Sequence, residues 1–198
     1  MTRTGFVWRT TAVLAVAVAL SACQTPPPPP PPAPYSGPVL PIEQSERGVQ
    51  IFLPNSVLFE VGKSALNAKE SGPYLDRVAD LLKNKTKNNV SLEGHADSTG
   101  SATLNQSLSE DRARAVAVAL AERGIPKERL ETAGFSFNRP VASNATEDGR
   151  RLNRRVEVVI LGEKVENITQ GEPANAFSSA WAQLKSLIDQ GLVKPAEK

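Results

Sequence analysis

The sequence predicts an α/β fold of the α+β kind, a two-layer sandwich of three helices on a mixed four-stranded sheet in the order βαβαβαβ. Three observations carry this reading. Short runs rich in Val, Ile and Leu alternate with longer stretches of helical apolar spacing between residues 48 and 162. Gly, Pro, Asn or Ser stands at most of the changes of pattern. Strands separated by helix-length segments require helices packed on a sheet, because the apolar stripe of each helix and a sheet face must cover one another.

The elements follow in order. The folded part is read as starting at Gly48. Residues 49–53 and 57–59 read as extended, broken by Pro54-Asn55-Ser56. Ser64 is a candidate cap for a helix that bends near Gly72-Pro73 and ends about Asn84. Within it Leu75, Val78, Ala79 and Leu82 form one apolar stripe. Asn88-Asn89 turns the chain into a strand over 90–94. The next helix covers about 102–123 and stops at Gly124, with Pro126 just beyond. A short strand at 130–133 follows, and Thr146 can cap a third helix with Glu147 and Asp148 in its first turn. RVEVVIL, 155–161, is the last strand, so the domain is read as 48–163. In the tail, 164–198, Phe177, Trp181, Leu184 and Ile188 recur at helical spacing. They predict a short amphipathic helix, docked on its own domain or open to a protein partner or a membrane surface, the last disfavoured by the few cations on its polar face.

The N-terminal part does not read as fold. Arg3 and Arg9 precede an unbroken Ala/Val/Leu run at 12–20. That run is too short for a hydrocarbon core, which needs roughly 20 apolar residues, and residues 1–22 read as an export signal. Cys23 is the single cysteine, so no intramolecular disulfide can form. Leu20-Ser21-Ala22-Cys23 resembles the lipobox of bacterial lipoproteins. The resemblance implies that Cys23 is acylated, by palmitate among other chains, and becomes the first mature residue. Gln24, in place of an aspartate, then points to the outer membrane. Each buried methylene adds about 0.8 kcal/mol, so two or more chains anchor stably. Residues 23–47 read as a linker with seven consecutive prolines at 26–32 and another at 34. In the polyproline II form those nine residues would span roughly 28 Å. Without Arg3 and Arg9 the charges balance at 21 Lys+Arg against 21 Asp+Glu, which argues against nucleic acid as a partner.

The stretch 92–114, LEGHADSTGSATLNQSLSEDRAR, carries the candidate site. On the second helix Leu104, Leu108, Val116 and Leu120 read as the core-facing ladder, and Arg112 falls on the same ladder. A charge within an apolar stripe is costly unless paired. Asn105, seven residues earlier, lies within about 20° of Arg112 on the helix surface. Asp97 stands in the turn before the helix, where the macrodipole favours a carboxylate. Two readings stay open. Arg112 pairs with Asp97 or another acid and merely closes the fold. Alternatively, Asp97 receives a ligand ammonium and Arg112 grips a ligand carboxylate, for which its planar fork is suited.

GHADSTG, then Asn105, Leu108-Ser109, Arg112-Ala113, Gly149-Arg150 and Asn153-Arg154-Arg155-Val156-Glu157 resemble the OmpA-like C-terminal domain. That family includes the peptidoglycan-associated lipoprotein and the wall-binding domain of the flagellar motor stator. The resemblance covers about residues 48–162 and implies binding of the diaminopimelate side chain of peptidoglycan stem peptides. By position, Asp97 matches the aspartate for the ammonium and Arg112 the arginine for the carboxylate. Asn105 and Thr99 match supporting positions, and Arg154 matches a further contact. Phe59-Glu60 falls where the family has Phe-Asp, so the carboxylate of Glu60 is one methylene further out.

Other residues read as structural. His95 is the one histidine, so with a single, acylated cysteine no metal cluster is expected, and no G-x-S-x-G elbow exists. His95 is expected to make a structural hydrogen bond at the strand end, Arg150, Arg151 and Arg155 to form a solvated face, and Phe135 and Phe137 to pack at a core or edge. The whole reads as a non-catalytic outer-membrane lipoprotein without cofactor that tethers membrane to peptidoglycan. The alternative is an envelope regulatory or assembly protein that chiefly binds a protein partner.

Overall fold

A computed structural model describes residues 35–60 and 62–196; the expected signal segment, Cys23 and the proline run lie outside the described residues. In chain order the elements are β1 (Leu40–Ser45), β2 (Gly48–Pro54), α1 (Asn55–Leu58), α2 (Ala68–Asn84), β3 (Val90–His95) and α3 (Ala102–Glu122). After a single 3₁₀ turn come β4 (Leu130–Gly134), α4 (Glu147–Asn153), β5 (Arg155–Leu161), α5 (Val165–Thr169), β6 (Phe177–Ser179) and α6 (Ala180–Asp189). The architecture is mixed α/β, as expected, but the sheet has six strands rather than four, in the order β4-β3-β5-β2-β1-β6. β3 pairs with β4, and β1 with β6, in parallel; the other pairs are antiparallel.

Both additional strands come from segments read as lying outside the domain. β1 belongs to the stretch taken as linker, so the sheet begins at Leu40 and not at Gly48. Leu40 and Ile42 alternate into the core, and Gly48 makes the return to β2 at φ 138°. A Cβ on Gly48 would meet the Ile160 carbonyl at 2.0 Å, so the turn demands glycine. β6 lies in the tail and pairs Phe177 with Leu40.

The core lies between the sheet and the α2/α3 layer. Val49, Ile51 and Leu53 of β2, Val90 and Leu92 of β3, and Val156, Val158 and Ile160 of β5 meet Leu75, Val78, Ala79 and Leu82 of α2. The expected stripe of α2 is the buried one. Its start is later than expected: Asn67, not Ser64, precedes the first turn. Leu66 forms a bridge with Phe59, and Asn67 N–H donates to the Leu58 carbonyl at 2.9 Å. The chain is therefore still tied in a loop where the helix was expected to begin. The same tie explains why 57–59 is no strand. Pro54 opens one helical turn, α1, which drops Leu58 fully into the core.

On α3 the Ser101 hydroxyl caps Leu104 N–H at 3.2 Å, and the chain leaves through Gly124 at φ 89°. Its buried face is Asn105, Ser109, Arg112, Ala113, Val116, Ala119 and Leu120. Leu104, expected on that face, is 71% exposed, and Leu108 is only half-buried. The reason is geometric. A ladder of four-residue steps drifts about 40° per step, so Leu104 stands about 160° from Leu120. Asn105 occupies the inward position instead. Among the described residues no helix is long and apolar enough to cross a membrane.

Candidate functional site

Four segments meet at one end of the sheet: the turn after β3, the inner face of α3, α1 with the loop behind it, and the corner from α4 into β5. Asp97 follows β3 by two residues and is buried. Its Oδ1 accepts from Thr99 N–H at 2.7 Å, which folds the turn back on itself. Asn105 Nδ2 donates to the Thr99 carbonyl at 2.8 Å and the Asp97 carbonyl at 3.2 Å, fastening that turn to α3. Asp97 Oδ2 accepts from Arg154 Nη1 at 2.6 Å, and Arg154 Nη2 donates to Glu147 Oε1 at 2.7 Å. Burial works to raise the Asp97 pKa, but the bonds from Arg154 and Thr99 outweigh it and hold the carboxyl below its ordinary value.

Arg112 has a different environment. It is 3% exposed, and its Nε donates to the Lys63 carbonyl at 3.1 Å. The Asn55 amide oxygen, turned toward the guanidinium so that an acceptor faces donors, accepts from Nη1 at 2.8 Å and Nη2 at 3.0 Å. The guanidinium carbon lies 5.3 Å from the centre of the Phe59 ring. Among the described residues no carboxylate is within ion-pair distance of Arg112. Burial and the positive charge of Arg154, partly offset by Asp97, push its pKa down to about 10. Asp97 and Arg112 thus do not pair with each other. Among the described residues, Asp97 has Arg154, and Arg112 has neutral acceptors only.

Asp97, Thr99, Asn105 and Arg154 are joined by hydrogen bonds, and Phe59 lies against Arg112. Glu60 stands apart: its exposed carboxylate bonds Lys63, and that contact holds its pKa below the ordinary value. Asn55, Lys63 and Glu147 were not singled out from the sequence as site residues. Asn55 sits in a Pro-Asn-Ser stretch that reads as a strand break, and Lys63 contributes only a backbone carbonyl. Glu147 could have been noticed seven residues before Arg154 at a helix start, but nothing in the sequence ties it to Asp97.

The far face of the sheet carries a second polar cluster. His95, Glu93 and Glu157 are buried, with one ligand-type atom of each within 4.8 Å of the others. The sequence reading, counting His and Cys alone, did not anticipate this grouping. Each carboxylate is already held by arginine. Glu93 accepts from Arg47 at 2.5 Å and Arg139 at 3.3 Å, and Glu157 accepts from Arg155 Nε at 2.7 Å. Divalent-cation binding here would have to displace those guanidiniums. Two expectations fail in this cluster. Arg155 is buried, not solvated, because β5 turns it onto the covered face beside Glu157. Among the described residues neither ring nitrogen of His95 has a hydrogen-bond partner. Its ring stacks on Phe135 at 5.5 Å, and burial, with Arg155 and Arg139 nearby, pushes its pKa down to about 2. Arg150 and Arg151 make short-range surface pairs with Glu147 and Asp148.

Residues 58–154 match the OmpA family. The probable lipoprotein YiaD of Escherichia coli K12 is 36% identical over 119 residues, covering 60% of this chain and 54% of its own length. The peptidoglycan-binding protein ArfA of Mycobacterium tuberculosis is 40% identical over 114 residues, covering 50% of this chain and 35% of its own. The chain therefore spans about half or less of these relatives. Among solved structures, the cell wall anchor of the T6SS from Pseudomonas aeruginosa has a TM-score of 0.57 at 32% identity, covering 62% of this chain and 87% of that one. With the Asp97 turn and the buried Arg112 both within this matched region, the chain belongs to the OmpA family.

Proposed function

We propose that this chain is an outer-membrane lipoprotein that binds peptidoglycan noncovalently through diaminopimelate, tethering the membrane to the wall. The observation that carries the reading is Arg112, a buried cation that meets only neutral acceptors among the described residues. Burying a charge without a counter-ion is costly, and a ligand carboxylate relieves that cost. Asp97 lies across the same site and supplies the opposite charge. A ligand with ammonium and carboxylate on one carbon satisfies both, and the free end of diaminopimelate has that form.

On entry the ammonium takes the place on Asp97 that Arg154 Nη1 holds, while Arg154 keeps its bond to Glu147. The carboxylate meets Arg112, and Asn105 and Thr99 keep the Asp97 turn in shape. No covalent bond is made or broken in this scheme. Wall binding in ArfA, the wall-anchor role of the T6SS protein and the lipoprotein character of YiaD support the reading. Leu20-Ser21-Ala22-Cys23 supplies the anchor and the prolines supply reach. Many copies on one membrane would hold the wall through individually weak contacts.

The test is a pull-down of purified chain on diaminopimelate-type peptidoglycan. Asp97→Ala and Arg112→Ala should each lose binding with an unchanged circular dichroism spectrum. Full retention by both variants would remove the site assignment. The second reading, an envelope protein that chiefly binds a partner protein, has one observation in its favour. α6 leaves an apolar groove of about 260 Å³ against the sheet, lined by Phe52, Leu184 and a half-exposed Trp181.

A further inference from the structure

We propose that Asn55 determines the specificity of this site: its neutral amide fixes the Arg112 guanidinium without cancelling its charge, and so reserves that charge for a ligand carboxylate. The inference rests on the ligand reading above and names the residue that makes the site selective for a free acid over its amide.

Buried arginines are ordinarily matched by carboxylates, because a guanidinium fork and a carboxylate share geometry and opposite charge. Here the two Nη groups of Arg112 converge on one Asn55 oxygen, at 2.8 and 3.0 Å, where a carboxylate oxygen of aspartate would fit the same space. Among the described residues the other protein acceptor is the Lys63 carbonyl, also neutral. Asn55 is itself held firmly. Its N–H donates to the Arg154 carbonyl at 3.0 Å, and its carbonyl accepts from Phe59 N–H at 2.9 Å. One short helical turn, α1, therefore sets the acceptor on the fork and leads directly into the ring that lies against Arg112. These contacts use Nε and one N–H on each Nη, and a guanidinium has five N–H donors, so donors remain for a ligand.

An aspartate at position 55 would complete a buried ion pair within the protein. The fold would gain a counter-ion and the ligand carboxylate would meet a neutralised arginine. Stability and affinity should therefore move in opposite directions, which a merely structural asparagine would not produce.

The experiment uses the full chain in detergent solution and three proteins: wild type, Asn55→Asp and Asn55→Ala. The probes are a stem-peptide fragment ending in free diaminopimelate and the same fragment with that carboxylate converted to a carboxamide. Calorimetry reads affinity and thermal unfolding reads stability. Wild type should prefer the free acid by at least about tenfold, the value of one charge-assisted hydrogen bond. Asn55→Asp should melt at or above the wild-type temperature, yet bind the free acid at least about tenfold more weakly and lose the preference. Asn55→Ala should melt lower and still prefer the acid. If wild type binds and Asn55→Asp matches it within about threefold, the inference is overturned while the function stands. Equal wild-type affinity for acid and amide also overturns it. A wild-type chain that binds neither fragment overturns the ligand reading, and this inference with it.

Discussion

The site depends on single side chains whose partners differ in how far away they lie in the chain. Asn105 and Arg112 could be placed together from sequence because seven residues are two turns of one helix. The partner of Asp97 could not, since Arg154 is 57 residues away and reaches it only from the α4–β5 corner. Asp97 and Arg112 each looked like half of a salt bridge, and long-range geometry assigned them to different environments. From sequence alone His95 looks like a hydrogen-bonded strand end, because sequence shows neither the Phe135 ring over it nor the arginines around it. Its titration gives a residue-scale prediction. The unfolded chain binds a proton at His95 near pH 6.5, whereas the folded chain, with its pKa near 2, does not. The unfolded state thus carries more protons across that window, and stability falls as pH drops below about 6.5. The contribution of this group is about 1.4 kcal/mol per pH unit. In urea titrations between about pH 4.5 and 6, His95→Gln should be less pH-sensitive than wild type by about that slope. An identical slope in both proteins would mean that Glu157, 3.5 Å from Nε2, keeps His95 charged in the fold.

Among the elements, those with strong caps and periodicity were legible: the Thr146 start of α4, the Gly124 exit of α3, the stripe of α2 and the strand β5. Those made by tertiary pairing were not. β1 reads as a polar, Pro-containing stretch until β2 aligns it, and β6 is three residues long. α3 joins the two kinds of information. Its C-terminal half buries Val116, Ala119 and Leu120 in the core, while its N-terminal half turns Asn105, Ser109 and Arg112 inward. The polar half can approach β3 closely because of Gly94, where a Cβ would meet the Ser109 carbonyl at 1.9 Å. Gly94→Ala must therefore push α3 away from β3. Overpacking of this kind costs about 1–3 kcal/mol. Because Asn105 and Arg112 ride on the same helix, ligand affinity should fall along with stability. Denaturant midpoints and peptidoglycan pull-down on the same variant check this, and a loss of stability with full binding would show that the site tolerates a displaced α3.

For the whole molecule, the structure moves the border of the domain. The sequence suggested a domain at 48–163 followed by a tail that docks or recruits a partner. In the fold, Ile168 and Ala176 are fully buried, and Glu172 joins Arg77 of α2 and Lys85 just beyond its end. Further on, Val193 is buried, and the Lys194 carbonyl accepts from Ser143 N–H at 2.9 Å, steadying the loop before α4. α6 is the exception, with no buried residue of its own. Two truncations should therefore behave differently. Removal of 164–198 takes away Ile168, whose burial alone is worth about 2–5 kcal/mol by the scale of large-to-alanine substitutions, together with both Glu172 bridges. That variant should melt far below the full chain and bind the wall poorly because it is partly unfolded. Removal of 177–198 keeps α5 and Glu172 and forfeits β6, α6 and the Val193 contact, so it should fold with a smaller loss and still bind peptidoglycan. Thermal unfolding and wall pull-down of the two variants separate the cases. Equal melting temperatures for the full chain and the 164–198 deletion would restore the tail to an appendage. Only the shorter deletion can show whether α6 and its groove serve a partner, since it removes them while α5 and the core packing of Ile168 stay in place.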